Sequence, residues 1–348
     1  ENQKKLIFFI FGATLFFSIA IGLGLLLHDN DFRDFDNYSR VLLLFPLTYL
    51  IVKLKLNELH VFVGLVLGSL AVLYFSVDYF LLSKNRIQFQ YENAMPMGNI
   101  AGSFMLIFLA LYLTQKKIGP PKFLYLIIAM FMFAVVVVSG TKGVWIPILI
   151  SILVSLMLTN SIMLRYSIIT LTVVLIVTAN FLYDGMILGR VDSLFSEISC
   201  VFSDSDIRTC KGDTLIDRLW MWIFVGNSFL DAPWLGYGAN QFQHLFGQAG
   251  ISGEVPIIRE NLNNPHNDLL DLLFKFGVLG VVALIFLYWV VLKVTFNILY
   301  SIGNEKKHWG LALLFHMLFF SMLGLTQSNF SVASQSYQFA FFTFLLVG

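Results

Sequence analysis

The sequence predicts an all-α polytopic membrane protein, with about ten transmembrane helices and a large, mostly helical cap loop on one side of the membrane. Of the 348 residues, 58% are hydrophobic and only 12% are charged, and the mean hydropathy is +0.80. A soluble domain carries about 25% charged residues, so this chain has too few charges to cover an aqueous surface. A soluble globular protein is therefore excluded.

Long apolar runs predict the individual spans, because roughly 20 helical residues cross a hydrocarbon core of about 30 Å. The runs are continuous and lack the period-two alternation of transmembrane strands. Several of them are short for a full crossing. In chain order the predicted spans are Leu6–Leu27, Ser39–Val52, Leu59–Leu82, Asn99–Thr114, Phe123–Val138, Val144–Leu158, Tyr166–Leu182, Val278–Tyr300, Trp309–Leu325 and Ser336–Val347.

The basic loops predict the orientation, since Lys and Arg concentrate in short cytoplasmic loops. The net charge of +1 gives no sign of nucleic acid binding. The loops that could take part in a reaction all lie on the opposite, outward side. They are residues 28–40, 83–98, 139–143, 183–265 and 326–334. The predicted cytoplasmic cations are Lys4, Lys5, Lys53, Lys55, Lys116, Lys117, Lys122, Arg165, Lys306 and Lys307.

Three regions follow from this order: N-terminal transmembrane helices in residues 1–182, a cap loop in 183–267, and C-terminal transmembrane helices in 268–348. A loop of this length is well above ordinary connections and is typical of a functional segment. The chain starts without Met and ends directly after an apolar run. We therefore expect further helices outside this sequence.

Cys200 and Cys210 are the two cysteines, and both lie in the cap loop. The spacing favours a disulfide, which requires an oxidising compartment such as a bacterial periplasm. Two unpaired thiols are the alternative. The nine-residue gap lacks the ligand spacing of a zinc site, and no metal is predicted.

The cap loop contains a predicted helix at Leu215–Phe229 (LIDRLWMWIFVGNSF). Arg218 shares a face of this helix with Trp222, its i+4 neighbour. Arg218 either binds an anion or extends its charged end to the membrane surface.

A second candidate lies where the cap returns to the membrane, in the sequence Asn264-Pro-His-Asn-Asp. Pro265 favours an extended residue before it, so His266 and Asn267 fall at the start of the next helix, which is predicted to break within KFGVLG. A histidine at such a place can be held neutral by the helix dipole and act as a base. A local capping role is the alternative.

The turn Ser139-Gly-Thr-Lys-Gly143 places Lys142 at the outward end of two apolar helices. A cation beside glycines and a helix N-terminus suits phosphate, although an interfacial lysine would also explain it. Lys142, Arg218, Arg190 and His266 all belong to outward segments. Together they suit a lipid diphosphate whose leaving group is stabilised, and an acceptor hydroxyl that loses its proton.

These motifs together resemble the O-antigen ligase and O-antigen polymerase superfamily of bacterial envelope glycosyltransferases. The turn SGTKGVW, the cap helix DRLWMW followed by DAPWLGYGANQF, and the run PHNDLLDLLFKFGVLG carry the resemblance. Their order and their placement around a large outward loop also match. Arg40, at the outer end of the second span, is a weaker point of similarity.

The resemblance implies a glycosyltransferase of the bacterial inner membrane with its active site on the periplasmic side. Arg218 is expected to contact an undecaprenyl-diphosphate-linked glycan donor, and His266 to act as general base on a sugar hydroxyl of lipid A–core. Lys142 stands where ligases usually have Arg. A lysine supplies the positive charge but lacks the planar guanidinium that binds a phosphate through two hydrogen bonds. Transfer is expected to be inverting and independent of metal and nucleotide, with no cofactor. Asn267, Arg40 and Trp222 are secondary candidates.

Two kinds of alternative remain. An O-antigen polymerase or a protein O-oligosaccharyltransferase would use the same donor with another acceptor. A polytopic lipid or solute transporter would also have many helices with broken segments. Intramembrane charges and an internal repeat would be expected of a transporter. This sequence has few such charges and no visible repeat. The sequence therefore favours the O-antigen ligase.

Overall fold

The computed structural model describes residues 2–28, 32–54, 57–83, 94–114, 122–158, 215–253, 255, 262–300 and 307–347, with isolated residues between 166 and 200. Regular structure in these ranges is helical throughout. The α-helices are α1 (Asn2–Leu27), α2 (Phe35–Ser39), α3 (Leu44–Leu54), α4 (Glu58–Ser83), α5 (Ala94–Thr114), α6 (Lys122–Ser139), α7 (Trp145–Leu158), α8 (Leu215–Ser228), α9 (Gln241–Ser252), α10 (Asp268–Tyr300), α11 (Lys307–Leu323) and α12 (Ala333–Val347).

Five of the described helices are long and apolar enough to cross a membrane. The predicted spans are largely helical wherever they fall on described residues, but α3, α7, α11 and α12 are shorter than a full crossing. Most of the predicted span Tyr166–Leu182 lies outside the described residues. The described part of this membrane protein is therefore all-helical, with candidate spans at Phe8–Leu27, Glu58–Val77, Pro96–Thr114, Lys122–Ser139 and Asp268–Tyr300.

The chain divides into two compact units. Unit 1 comprises Glu1–Ile19, Phe35–Asn160 and Ala283–Gly348. Its centre is α5, the most buried of the candidate spans, which packs mainly against α6 and α11.

Neutral polar side chains form a buried network in unit 1. Asn99 Nδ2 donates to Gln327 Oε1 at 2.9 Å, and Gln335 Nε2 donates to the same oxygen at 3.3 Å. Gln338 Nε2 donates to the Asn99 carbonyl at 3.0 Å and to Ser103 Oγ at 2.8 Å. Such bonds join neighbouring helices where no water is present to satisfy polar groups.

Unit 2 comprises Ala20–Asp34 and Ser161–Val282. Its core is aromatic: Phe224 of α8 lies 5.2 Å from Phe246 of α9, and Phe242 lies 5.2 Å from Phe274 of α10, between ring centroids. On α8 the apolar side chains recur every three to four residues, so one face of the helix is buried. The full cluster is Ile216, Trp220, Met221, Phe224, Val225, Phe242, Phe246, Ala249, Val255 and Phe274.

Candidate active site

The helix α10 is interrupted at Gly277, which has φ 62° and ψ −157°, a conformation open essentially to glycine alone. The interruption leaves backbone groups without partners inside the helix, as at any helix end. A segment of unit 2 satisfies them. Tyr237 N donates to Phe274 O at 2.8 Å, and Gly238 N donates to Lys275 O at 3.0 Å.

Two further bonds run in the opposite direction after the break. Val278 N donates to Pro233 O at 2.8 Å, and Leu279 N donates to Trp234 O at 3.4 Å. We call this backbone pairing between residues 233–238 and 274–279 the clasp. It joins two of the recognised motifs, DAPWLGYG and KFGVLG, through main-chain atoms.

The clasp requires glycine at two positions. A Cβ atom on Gly236 would lie 2.4 Å from Phe274 O, and one on Gly277 would lie 2.3 Å from the carbonyl carbon of Trp234. Both residues also have positive φ, 68° and 62°. The backbones can therefore approach this closely only without side chains.

The clasp continues into an aromatic contact. The Tyr237 ring stacks on Phe274 with centroids 4.9 Å apart, and its hydroxyl donates to Ser228 O at 2.8 Å. Burial raises the pKa of this phenol, and the nearby Asp231 carboxylate raises it further. Tyr237 thereby ties the end of α8 to the first turns of α10.

The start of α10 is built by asparagines. Asn267 Oδ1 accepts hydrogen bonds from Leu269 N at 3.0 Å and Leu270 N at 3.1 Å, as an N-cap residue does. Asn264 Oδ1 accepts from His266 N at 3.0 Å. His266 lies between them with φ 51°, the one positive φ outside glycine among the described residues. Such a conformation is uncommon and clusters at functional sites.

The helix α8 holds this turn through Trp222. Its Nε1 donates to Pro265 O at 2.9 Å. Arg218 lies one helical turn earlier, on the same face of α8. Arg218 and His266 are consequently close enough for the guanidinium to affect titration of the imidazole.

The imidazole of His266 is partly buried, and its pKa is lowered from 6.5 to about 4. Burial is the larger cause, and the positive charge of Arg218 lowers the pKa further, because both disfavour the imidazolium. The sequence suggested a helix dipole as the cause, whereas the structure gives burial and Arg218. Either way, His266 is neutral near pH 7 and able to accept a proton.

Replacing Arg218 with glutamine is expected to raise the pKa of His266. Losing a positive charge favours the protonated imidazole, while burial still keeps the pKa below 6.5. NMR titration of the labelled imidazole measures this shift. Arg218→Lys is the matched control, because it retains the charge and should keep the pKa low. An unchanged pKa in Arg218→Gln would contradict the proximity of the two groups.

An ion pair that sequence reasoning did not identify supports the same helix. Lys275 Nζ lies 2.8 Å from Asp271 Oδ1, and both side chains are buried. In the sequence, this pair is indicated by the i,i+4 spacing of an acid and a base directly before a glycine break. A pair this buried is weak evidence for added stability, and here it adjoins the clasp.

The other predicted site residues fall elsewhere or outside the described residues. Lys142 begins a 3₁₀ helix (Lys142–Val144) in unit 1, and only its backbone is described. Arg40 also belongs to unit 1 and pairs with Asp36. Cys200 is disulfide-bonded and packs on the unit 2 core, whereas Arg190 and Cys210 lie outside the described residues. The structure thus brings together Arg218, Trp222, His266 and Asn267.

Comparison with protein families identifies the part of the chain that contains this site. Residues 126–285 match the O-antigen ligase family. The match confirms the resemblance drawn from the motifs, since the turn at Lys142, the helix of Arg218 and the run from Pro265 to Gly280 all fall within it.

Two curated relatives extend the comparison. An uncharacterized protein of Haemophilus influenzae is 24% identical over 320 residues, which cover 88% of this chain and 75% of that protein. A candidate polysaccharide ligase of Rickettsia conorii is 29% identical over 85 residues, or 23% of this chain and 20% of its own length. The name of the Rickettsia conorii relative, a polysaccharide ligase, thus agrees with the match to the O-antigen ligase family.

Proposed function

We propose that this protein is an O-antigen ligase, which transfers glycan from undecaprenyl diphosphate to a sugar hydroxyl of lipid A–core at the periplasmic face of the inner membrane. The observation that carries the proposal is the neutral His266 imidazole beside Arg218, at the start of α10. The match of residues 126–285 to the O-antigen ligase family supports the same class of reaction.

In the proposed reaction His266 removes the proton from the acceptor hydroxyl. The oxygen attacks the anomeric carbon of the donor sugar as the bond to the diphosphate breaks, so the configuration inverts. Undecaprenyl diphosphate leaves with the bonding electron pair, and the Arg218 guanidinium stabilises its charge. Lys142 and Arg190 are proposed as further diphosphate contacts, on the strength of the sequence motifs.

Donor binding would also strengthen the base. A histidine whose pKa is about 4 is a weak base at neutral pH. A diphosphate on Arg218 cancels the positive charge that lowers this pKa and places negative charge nearby, so the pKa rises towards its ordinary value. His266 would thus become an effective base only when the donor is in place.

Reconstitution tests this function. The purified chain is placed in liposomes with undecaprenyl-diphosphate-linked O-antigen and lipid A–core, without nucleotide, and the products are separated by gel mobility. Transfer of glycan to lipid A–core is the expected result. Lengthening of the undecaprenyl-linked glycan would assign a polymerase instead. Formation of neither product would contradict a transferase.

Trp222→Phe tests whether α8 positions the base. Removal of the bond to Pro265 should lower kcat about fivefold to tenfold with little change in KM, since a hydrogen bond of about 1 kcal/mol no longer fixes the turn. Trp234→Phe is the matched control, because its side chain is 73% exposed. Equal kcat values for Trp222→Phe and the unmodified protein would show that this bond is dispensable.

A further inference from the structure

Unit 1 contains an apolar groove of about 450 Å³ that the proposed reaction does not use. Its size lies within the range of ligand sites, roughly 300–1,000 Å³. The groove lies between the segment that begins at Arg40, the helix α5 and the helix α12. Its lining residues are Leu43, Leu47, Ile100, Phe104, Ser334, Tyr337, Gln338, Ala340, Phe341 and Phe342.

A cation lies against Tyr337, one of the residues that line the groove. The Arg40 guanidinium stacks over the Tyr337 ring at 4.4 Å from its centroid. Leu43 and Leu47, which line the groove, follow Arg40 at positions i+3 and i+7, so the cation and this apolar helix face lie on the same side of the segment. A lipid has the same arrangement, a polar headgroup followed by an apolar chain.

Two buried hydrogen-bond donors near the groove have no partner among the described residues. One edge of Arg40 pairs with Asp36 through Nη2, while its buried Nε has no hydrogen-bond partner within the described part of the chain. The same holds for the hydroxyl of Ser334, a residue that lines the groove. Buried polar atoms are normally satisfied, and those left open call for a ligand or water.

The outer rim of the groove is exposed and apolar. Leu43, Tyr337 and Phe341 are 37%, 48% and 40% exposed, respectively. On a membrane-spanning bundle such side chains contact lipid, so a bilayer lipid has direct access. One guanidinium, already shared with Asp36, matches the single negative charge of a phosphodiester better than the several charges of a diphosphate.

We propose that this groove binds an anionic glycerophospholipid of the bilayer, with its phosphate at Arg40 and one acyl chain between Leu47 and Phe341. The phosphate oxygen accepts the hydrogen bond that Arg40 Nε offers. The acyl chain covers the apolar wall of α5 and α12. This proposal does not depend on the proposed transfer reaction.

Native mass spectrometry of the full chain tests the proposal, with phosphatidylglycerol, phosphatidylcholine and undecaprenyl phosphate as separate probes. We expect phosphatidylglycerol to remain bound and phosphatidylcholine to be lost. Arg40→Gln should retain about fivefold less phosphatidylglycerol, since one basic residue at an anionic lipid contributes about that factor. Arg33→Gln, an exposed cation nearby in sequence, is the matched control and should bind as before.

Leu47→Trp provides an independent variant, because it fills the groove and leaves Arg40 in place. It should lose phosphatidylglycerol even if Arg40→Gln fails to fold. Equal retention of the two glycerophospholipids, or undiminished binding by a folded Leu47→Trp, would overturn the proposal. Preferential retention of undecaprenyl phosphate would also overturn it, by assigning the groove to a polyprenyl lipid.

Discussion

Replacing His266 with asparagine is expected to lower the rate of glycan transfer about 100-fold to 10,000-fold, which is the usual contribution of a general base. Asparagine is the appropriate substitution because, apart from glycine, it is among the residues without an imidazole that best tolerate the positive φ of this position, 51°. The turn before α10 should therefore keep its shape while the proton acceptor is lost. The initial rate of transfer to lipid A–core measures the effect.

His244→Asn is the control for this experiment. His244 is an exposed histidine of α9 whose ring bonds to Gln248, one turn along the same helix. Its replacement should leave the transfer rate within about twofold, as for most surface substitutions. If His266→Asn transferred glycan as fast as His244→Asn, His266 would not be the base.

Replacing Gly277 or Gly236 with alanine is expected to open the clasp and to destabilise unit 2 by about 4 kcal/mol. In each case the new methyl group meets backbone atoms of the opposite segment, at 2.3 Å or 2.4 Å, and the backbone cannot move aside as a side chain could. Positive φ adds about 1–2 kcal/mol of strain. A lower thermal midpoint and faster proteolysis near residues 233–238 are the measurements.

Two other glycines separate the clasp from general effects of Gly→Ala substitution. Gly226 lies inside α8 with no atom within 4 Å of the place that a methyl group would take, so Gly226→Ala should stabilise the protein by about 0.5–1 kcal/mol. Gly253 has φ 82° and open space around it, so Gly253→Ala should show strain alone. A midpoint for Gly277→Ala equal to that of Gly253→Ala would show that the close approach is unimportant.

The sequence was sufficient for the class of fold and for the parts of the site that depend on local pattern. Apolar runs predicted the helices because a bilayer imposes their length and composition. The helix containing Arg218 was predicted as Leu215–Phe229 and ends at Ser228. The break predicted within KFGVLG lies at Gly277, because two closely spaced glycines after an apolar run mark a place where a helix can be interrupted.

Contacts between distant segments could not be predicted in the same way. The clasp joins residues about 40 positions apart through backbone atoms, which leave no side-chain pattern beyond their glycines. The bond from Trp222 to Pro265 also depends on tertiary packing. The low pKa of His266 follows mainly from burial, which one sequence does not reveal. The sequence thus indicated candidate residues for the proposed chemistry, and the structure supplied the contacts that hold Trp222, His266 and Asn267 in place.

The central claim is that the donor diphosphate binds beside His266 at the face of α8 that carries Arg218. Photo-crosslinking with a photoreactive polyprenyl diphosphate, followed by peptide mass spectrometry, tests it most directly. We expect adducts on Leu215–Ser228 and on residues 262–267, which unlabelled diphosphate displaces and Arg218→Gln greatly reduces. Adducts confined to unit 1, or adducts on α8 that persist undiminished in Arg218→Gln, would contradict the claim.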